Sequence, residues 1–262
     1  MNQLSISIVQ HNIIWENKAA NLEALASKIK AIKKTELVVL PEMFSTGFTM
    51  DPVPHAETMD GHTVQWIISQ AQTKKIALVG SIIIQEHNNF YNRLILALPN
   101  GKVGTYDKRH LFAFAGEHEQ YTPGEKRFIT SINGIKINLQ VCYDIRFPVW
   151  ARQQQPDGEA EYDVLINIAN WPQKRSYHWK TLLTARAIEN QCYVIGVNRT
   201  GVDGNGHHYN GQSRIINPLG NTVYAANILE DVFTYTITKE EIEKIRNDFP
   251  FLKDADDFSI LK

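Results

Sequence analysis

The apolar run "ELVVL" at residues 36–40 constrains the fold of this chain more than any other segment. After its glutamate, every side chain in the run is apolar. A half-buried strand would alternate apolar and polar residues, so this run predicts a strand that other elements cover on both faces. Residues 17–34, just before it, carry apolar side chains at helical spacing and predict a helix that supplies one cover.

The rest of the chain mixes helical crossovers with hairpins. Further helices are predicted near 63–74, 148–154, 175–190 and 239–247, and further strands at 4–10, 76–84, 163–169, 192–198 and 232–238. Hairpins at 93–107 and 127–141 turn at Pro99-Asn100-Gly101 and Asn133-Gly134, and two short strands flank residues 217–220. The pattern has no linker and no internal repeat. It predicts an α/β layered sandwich with mixed sheets, as a single domain over residues 1–262 with a C-terminal tail at 250–262.

Charge and cysteine usage exclude several classes of protein. The net charge is −1, and lysine and arginine are spread along the chain, so no basic surface for nucleic acid or an anionic membrane is expected. No apolar window is long enough to span a bilayer, and the N-terminal residues lack the features of a signal peptide. The two cysteines, Cys142 and Cys192, lie within apolar runs, which favours a reducing, cytoplasmic location.

Reactive side chains follow three of the predicted strands. Glu42 comes two residues after the run at 36–40, Lys108 follows the strand that ends at Asp107, and Cys142 ends the run that begins at Ile137. Ligands in α/β sheets bind beyond the carboxyl ends of strands. We therefore expect a carboxylate, an ammonium and a thiol at one edge of the sandwich.

These three groups together can form an activated nucleophile. A free thiol is only a few per cent thiolate at neutral pH, so Cys142 needs a base, and Glu42 can serve as one. The ammonium of Lys108 can stabilise a tetrahedral oxyanion, and the backbone N–H of Tyr143 is a natural second donor. Each residue alone is ordinary: a loop glutamate, a surface lysine, or a core cysteine, which is how we interpret Cys192.

Three segments together resemble the signature of the nitrilase superfamily, the carbon–nitrogen hydrolases with a Glu–Lys–Cys triad. They are "LVVLPEMF" around Glu42, "YDKRHLF" around Lys108 and "LQVCYDIRFP" around Cys142. The resemblance continues through the following stretches and covers nearly the whole chain: "EHEQYTPGEK", "ANWPQKR", "LLTARAIENQCYVIGVNRTG" and "GQSRIINPLG".

The resemblance implies a four-layer αββα sandwich of the nitrilase type with two mixed β-sheets, and two copies that pair across a dyad as a larger layered homodimer. It implies that Glu42 is the general base, Lys108 the oxyanion-side cation and Cys142 the nucleophile. Glu117 matches the family's second glutamate, which supports Lys108, and Glu119 fits that spacing less well. The chemistry uses water and a small amide substrate, and it implies no cofactor and no metal.

Finer features are similar to the omega-amidase-like branch, whose members hydrolyse the terminal amide of 2-oxo acids such as 2-oxoglutaramate and 2-oxosuccinamate. "EMFSTGF", "FAFAGEH" and "NWPQKRSYHW" carry this likeness. Many members have a glutamate after "RFP", whereas this chain has Val149-Trp150, which argues against some other branches. A nitrilase, a small aliphatic amidase or carbamoylase, and a non-catalytic protein of this fold stay open as alternatives.

A mono-amide that carries a free carboxylate needs a cation to bind that carboxylate. Arg146 is one candidate, with an ion pair to Asp144 or Glu42 as the alternative. Arg175 is the second, with a solvated helix-start residue as the alternative; the guanidinium fork favours either over lysine. Aromatic side chains can form the walls of the site, and the candidates are Phe48, Phe114, Tyr143 and Trp171.

The segment 203–208, "DGNGHH", has other possible interpretations. Adjacent histidines such as His207 and His208 rarely ligate one ion together, so we expect no metal there. Residues 203–206, "DGNG", lack the acidic positions of a calcium loop, and we interpret them as a tight turn. A Cys–His pair between Cys142 and His178 is possible, but His178 lies in a helical pattern, where a packed or exposed histidine fits better.

Overall fold

The computed structural model describes residues 2–155 and 158–260, in two large sheets and six helices. The strands are β1 (Gln3–Gln10), β2 (Leu37–Val39), β3 (Ala77–Glu86), β4 (Asn89–Ala97), β5 (Val103–Asp107), β6 (Phe128–Ile132), β7 (Ile135–Val141), β8 (Val164–Ala169), β9 (Tyr193–Asn198), β10 (Thr200–Val202), β11 (His208–Asn210), β12 (Arg214–Ile216), β13 (Thr222–Ala225) and β14 (Asp231–Thr238). The helices are α1 (Lys18–Ala31), α2 (His62–Lys74), α3 (Glu117–Gln120), α4 (Pro148–Ala151), α5 (Ser176–Asn190) and α6 (Lys239–Asp248).

Each large sheet has six strands and is mixed. The first has the order β14-β1-β2-β3-β4-β5, in which β1, β2 and β3 are parallel and the other pairs are antiparallel. The second has the order β13-β12-β9-β8-β7-β6, in which β7, β8 and β9 are parallel. Strands β10 and β11 form a separate two-stranded hairpin. The predicted α/β class with mixed sheets is confirmed.

The short strand β2 shows why the layers form. Leu37 and Val39 point into the core that the two sheets share, whereas Val38 packs with apolar residues of α1 and α2 on the outer face. All three side chains are buried. The absence of polar alternation in this run therefore reflects a strand covered on both faces, as predicted.

Helix α5 covers the outer face of the second sheet at Gly196 of β9. A Cβ atom at this position would lie 2.4 Å from Leu183 Cδ1 and 2.7 Å from Trp179 Cζ2, so the close approach of helix and strand requires glycine. Together with α1 and α2 on the first sheet, α5 completes the αββα order of layers. Within the described residues, no helix is long and apolar enough to cross a membrane.

The structure corrects the predicted elements in four places. The helix predicted at 148–154 ends at Ala151, because Arg152 is extended. Residues 86–89 form the turn of a β3–β4 hairpin, and β10–β11 form another; neither was predicted. Within the predicted tail, residues 251–254 form a 3₁₀ turn that buries Leu252, while residues 261 and 262 lie outside the described part.

Candidate active site

The site lies where four strands end. Strands β2 and β5 run in the same direction in the first sheet, and β7 and β8 are parallel in the second. The chain beyond each strand carries one polar side chain to the same place: Glu42, Lys108, Cys142 and Asn170. The structure thus brings together the three groups that the sequence placed at strand ends.

The ammonium of Lys108 occupies the centre of the cluster. Its Nζ lies 3.0 Å from Glu42 Oε1, 3.0 Å from Glu117 Oε1 and 2.9 Å from Glu117 Oε2. It also lies 5.0 Å from the centroid of the Phe48 ring. The side chains of Lys108 and both glutamates have no exposed surface. One buried cation therefore faces two buried carboxylates.

Burial and charge set the protonation of this cluster. Burial alone would lower the pKa of Lys108, but the charges of Glu117 and Glu42 outweigh it and hold that pKa above its ordinary value. Burial raises the pKa of Glu117, which Lys108 opposes and the charge of Glu42 increases. Lys108 therefore keeps its proton at neutral pH, as an oxyanion-stabilising cation must.

Glu42 is held by groups from both sheets. The side-chain amide of Asn92 in β4 donates to Oε1 at 2.8 Å, and the backbone N–H of Asn170 donates to Oε2 at 2.8 Å. The side-chain amide of Asn170 also donates to the backbone carbonyl of Glu42. These bonds fix the carboxylate where it can receive a proton from a neighbouring group.

Cys142 begins a 3₁₀ turn that follows β7, with φ of +45°. This left-handed conformation is costly for a residue other than glycine, by roughly 1–2 kcal/mol, and such strain concentrates at functional sites. Burial raises the pKa of the Cys142 thiol, and the charge and hydrogen bond of Glu42 raise it further against the effect of Lys108. The resting group is therefore a neutral thiol next to a carboxylate that can accept its proton.

Asp144 holds the turn that carries Cys142. Its Oδ2 accepts hydrogen bonds from Tyr106 Oη at 2.7 Å and the Val141 N–H at 3.0 Å, and its Oδ1 accepts the His110 N–H at 2.9 Å. Trp150 Nε1 donates to the same Tyr106 oxygen. This network joins the end of β5 to the end of β7. An ion pair between Asp144 and Arg146, the alternative considered from the sequence, is not formed.

A cavity of about 440 Å³ opens beside Cys142, which is within the range of small-molecule sites. Its walls include every substrate-binding residue expected from the sequence: Arg146, Arg175, Phe48, Phe114 and Trp171, with Tyr143 beside them. Cys142 and Lys108 form its inner end, whereas Glu42 and Glu117 lie behind Lys108 and do not line it. Phe114, which is 89% exposed, marks the mouth.

Two guanidinium groups in this cavity have no carboxylate partner within residues 2–155 and 158–260. Arg146 lies 4.9 Å from the Trp171 ring centroid and 3.1 Å from Nδ1 of His178, and Arg175 lies 5.1 Å from the Phe112 ring centroid. Burial lowers the pKa of Arg146; the Tyr143 hydroxyl opposes this effect, and the charge of Arg175 adds to it. Two neighbouring cations without counter-ions make the cavity suited to an anionic ligand.

Sequence reasoning missed several residues of the site. Asn92 lies within a strand and gave no signal, because its contact with Glu42 spans fifty positions of the chain. Residues 203–206 were interpreted only as a tight turn, and His207 was considered only as a metal ligand, yet Asp203, Asn205, His207 and Tyr209 line the cavity. Among the described residues, no cluster of histidine, cysteine and acidic side chains can hold a metal ion.

The chain is similar to known proteins over nearly its whole length. The carbon–nitrogen hydrolase family profile matches residues 5–247. The omega-amidase YafV of Escherichia coli K12 is 40% identical over 99% of this chain and 100% of its own length. The 2-oxoglutaramate amidase of Bacillus subtilis is 32% identical over 95% of this chain and 96% of its own. The crystal structure of XC1258 from Xanthomonas campestris, a CN-hydrolase superfamily protein with an arsenic adduct in its active site, is 42% identical, with a TM-score of 0.97 over 99% of this chain and 100% of that one.

Proposed function

Because the chain belongs to the carbon–nitrogen hydrolase family, we propose that it is an omega-amidase. It hydrolyses the terminal amide of a small 2-oxo dicarboxylic mono-amide, of the 2-oxoglutaramate or 2-oxosuccinamate type, to the acid and ammonia. Full-length similarity to an omega-amidase and a 2-oxoglutaramate amidase supports this substrate class. The observation that carries the proposal is the pair of uncompensated guanidinium groups in the cavity that ends at Cys142 and Lys108.

Substrate binding places the amide at the inner end of the cavity. The free carboxylate lies toward the mouth, where Arg146 and Arg175 supply positive charge. Phe48, Phe114 and Trp171 enclose the carbon chain and exclude water, which strengthens the electrostatic interactions inside. The positive charge at the mouth and the thiol at the inner end thus orient the substrate in one direction.

In the acylation step, Glu42 takes the proton from the Cys142 thiol as the sulfur attacks the amide carbon. The oxyanion that forms is stabilised by the Lys108 ammonium and the Tyr143 N–H. The protonated Glu42 then gives its proton to the departing nitrogen, the C–N bond breaks, and ammonia leaves. The acyl group stays on Cys142 as a thioester.

Hydrolysis of the thioester reverses these roles. Glu42 removes a proton from a water molecule, whose oxygen attacks the thioester carbon. The same donors hold the second oxyanion, the C–S bond breaks, and Glu42 returns the proton to the thiolate of Cys142. The Cys142 thiol is hydrogen-bonded to Glu42 and not to Glu117, so the role of Glu117 is to hold the ammonium of Lys108 in place through the bonds of 2.9 and 3.0 Å.

We also propose that the enzyme acts as a homodimer in the cytoplasm. Exposed apolar side chains on α4 and α5, Val149, Tyr177 and Ile188, supply a surface that a second copy can cover. Both cysteines are free thiols, which suits a reducing compartment. Light scattering coupled to size-exclusion chromatography tests the dimer directly.

Ammonia release from 2-oxoglutaramate tests the proposed function. Wild-type protein is compared with Cys142→Ala and with Cys192→Ala, which removes the other buried thiol. Release by the wild type and by Cys192→Ala, with a loss of about 10³-fold or more in Cys142→Ala, supports the proposal. If the wild type released no ammonia from 2-oxoglutaramate but hydrolysed an organic nitrile, the protein would be a nitrilase and the amidase assignment would be wrong.

A further inference from the structure

The segment 203–209 forms one wall of the cavity, and the reaction described above gives it no part. It contains the β10–β11 turn, and it places Asp203, Asn205, His207 and Tyr209 along the wall. These four polar side chains face the same space as Arg146 and Arg175. A cavity that only needed to exclude water would have an apolar wall here, so the polar wall requires another reason.

Asp203 organises this wall as a hub of hydrogen bonds. Its Oδ1 accepts the N–H groups of Asn205 and His207, each at 2.9 Å, and its Oδ2 accepts the Tyr209 hydroxyl at 2.8 Å. Burial would raise the pKa of Asp203, but these bonds outweigh it and hold that pKa below its ordinary value. The carboxylate therefore stays ionised and is occupied by donors of its own segment.

The wall is attached to the rest of the protein by contacts with Arg199 and Trp15. The Tyr209 ring lies 4.6 Å from the guanidinium carbon of the buried Arg199, whose Nη2 donates to the Ile13 carbonyl at 2.7 Å. Gly204 sits against the Trp15 indole so closely that a Cβ atom there would lie 2.3 Å from its Nε1. These two contacts attach the segment to the rest of the protein at Gly204 and Tyr209.

His207 has an exposed side chain that is itself in contact with the carboxylate of Asp203. Its Nδ1 lies 3.3 Å from Asp203 Oδ1, and its side chain is 53% exposed. A carboxylate only accepts, so Nδ1 carries the proton of this bond and Nε2 is left for a ligand. Within the described residues, Nε2 has no hydrogen-bond partner. When the ring carries a second proton, Nε2 donates as well.

We propose that His207 is a specificity-determining residue that binds the distal end of the substrate. This inference rests on the proposed function. The distal end of a 2-oxo acid carries only acceptor oxygens, in its carboxylate and its carbonyl, and the doubly protonated ring of His207 donates its Nε2–H to one of them while Nδ1–H stays bonded to Asp203. Together with Arg146 and Arg175, it surrounds that end with donors and positive charge.

The same arrangement explains how a 2-oxo acid is selected over the corresponding 2-amino acid. An ammonium group at the second carbon needs acceptors and is repelled by cations. The carboxylate of Asp203 is already occupied by its own segment, and the two guanidinium groups are donors only. Glutamine and asparagine, which are mono-amides of the same length, are therefore poor substrates.

Steady-state kinetics with 2-oxoglutaramate tests the inference, using His207→Gln and the matched control His208→Gln. His208 is exposed on β11 and does not line the cavity, so the two substitutions differ only in position. The inference predicts a KM about tenfold higher in His207→Gln, with kcat within about twofold of the wild type. The control should match the wild type in both constants.

The outcomes separate the inference from the proposed function. Equal KM values in His207→Gln, His208→Gln and the wild type would overturn the role of His207 while the amidase assignment stands. A fall in kcat at unchanged KM would also overturn it, because His207 would then act on the chemistry. A wild type that does not hydrolyse 2-oxoglutaramate would overturn the proposed function and this inference with it.

Substrate discrimination supplies a second readout that a merely structural role would not change. The wild type should have a higher kcat/KM for 2-oxoglutaramate than for glutamine. In His207→Gln, kcat/KM should fall for 2-oxoglutaramate and stay unchanged for glutamine, so the preference becomes smaller. A proportional loss on both substrates would show that His207 only supports the wall, and it would contradict the inference.

Discussion

Asn170 and Glu42 join the two sheets at the site through two hydrogen bonds. The backbone N–H of Asn170, beyond β8 of the second sheet, donates to Glu42 Oε2 at 2.8 Å, and its side-chain amide donates to the backbone carbonyl of Glu42, beyond β2 of the first. The position of the carboxylate therefore depends on the packing of one sheet against the other.

Removing the Asn170 side chain should weaken this junction. In Asn170→Ala the buried carbonyl of Glu42 loses its donor, which costs about 1–3 kcal/mol in the free energy of unfolding. We also expect kcat to fall by about tenfold or more, because the carboxylate is held less firmly. Urea denaturation and initial rates measure the two effects. Unchanged stability and kcat would contradict the proposed junction.

Replacing Lys108 should make stability depend on pH in a characteristic direction. Lys108→Met leaves Glu42 and Glu117 buried without their cation, at a cost of about 3–5 kcal/mol at neutral pH. Burial and mutual repulsion then raise the carboxyl pKa values in the folded state above those in the unfolded state. Folding takes up protons, so the variant should become more stable as the pH falls from 8 toward 5.

The control for this prediction is Lys136→Met, which removes a half-exposed lysine whose ion pair is at the surface. This variant should follow the wild type across the same pH range. A Lys108→Met protein that loses stability on acidification would show that the two carboxylates are not the buried charges the structure describes.

Glu42→Gln should separate thiol reactivity from amide hydrolysis. The charge of Glu42 raises the pKa of the Cys142 thiol, second only to burial, so the neutral glutamine should lower that pKa. Alkylation of Cys142 by iodoacetamide, measured against pH, should therefore begin at lower pH than in the wild type. Amide hydrolysis should fall by about 10²–10⁴-fold, because the base is lost. Alkylation that shifts to higher pH would contradict this account of the cluster.

Arg146 and Arg175 should affect binding more than chemistry. Arg146→Gln and Arg175→Gln should each raise KM for 2-oxoglutaramate about tenfold with little change in kcat, because each removes a cation from the mouth of the cavity. Lys174→Gln is the matched control, since it removes an exposed positive charge next to the site without touching the cavity. If all three substitutions raised KM equally, only the overall positive charge near the site would matter, and direct contacts of Arg146 and Arg175 with the substrate would be excluded.

The sequence predicts those features of the fold and the site that depend on residues close together in the chain. The apolar run 36–40 indicates a strand covered on both faces, and Glu42, Lys108 and Cys142 stand at strand ends where sheet geometry brings them together. Asn92 was missed because it is a polar residue inside a strand, and only the pairing of β4 with β3 and β5 aims it at Glu42.

The cavity wall at 203–209 was missed for a related reason. Its strands are three residues long and largely polar, so hydrophobic periodicity gives no signal. The bonds from Asn205, His207 and Tyr209 to Asp203 are local and could be guessed, but the contact with Trp15 spans most of the chain. Local patterns thus give the turn, and tertiary packing decides that it faces the cavity.

The covalent intermediate tests the central claim most directly. Wild-type protein is mixed with 2-oxoglutaramate, quenched in acid within one turnover and digested, and the peptides that carry Cys142 and Cys192 are weighed by mass spectrometry. The account predicts that the Cys142 peptide gains the mass of the substrate minus ammonia, and that Cys192 and the protein with Cys142→Ala gain nothing. Ammonia release without an adduct on Cys142, or an adduct that survives in Cys142→Ala, would contradict it.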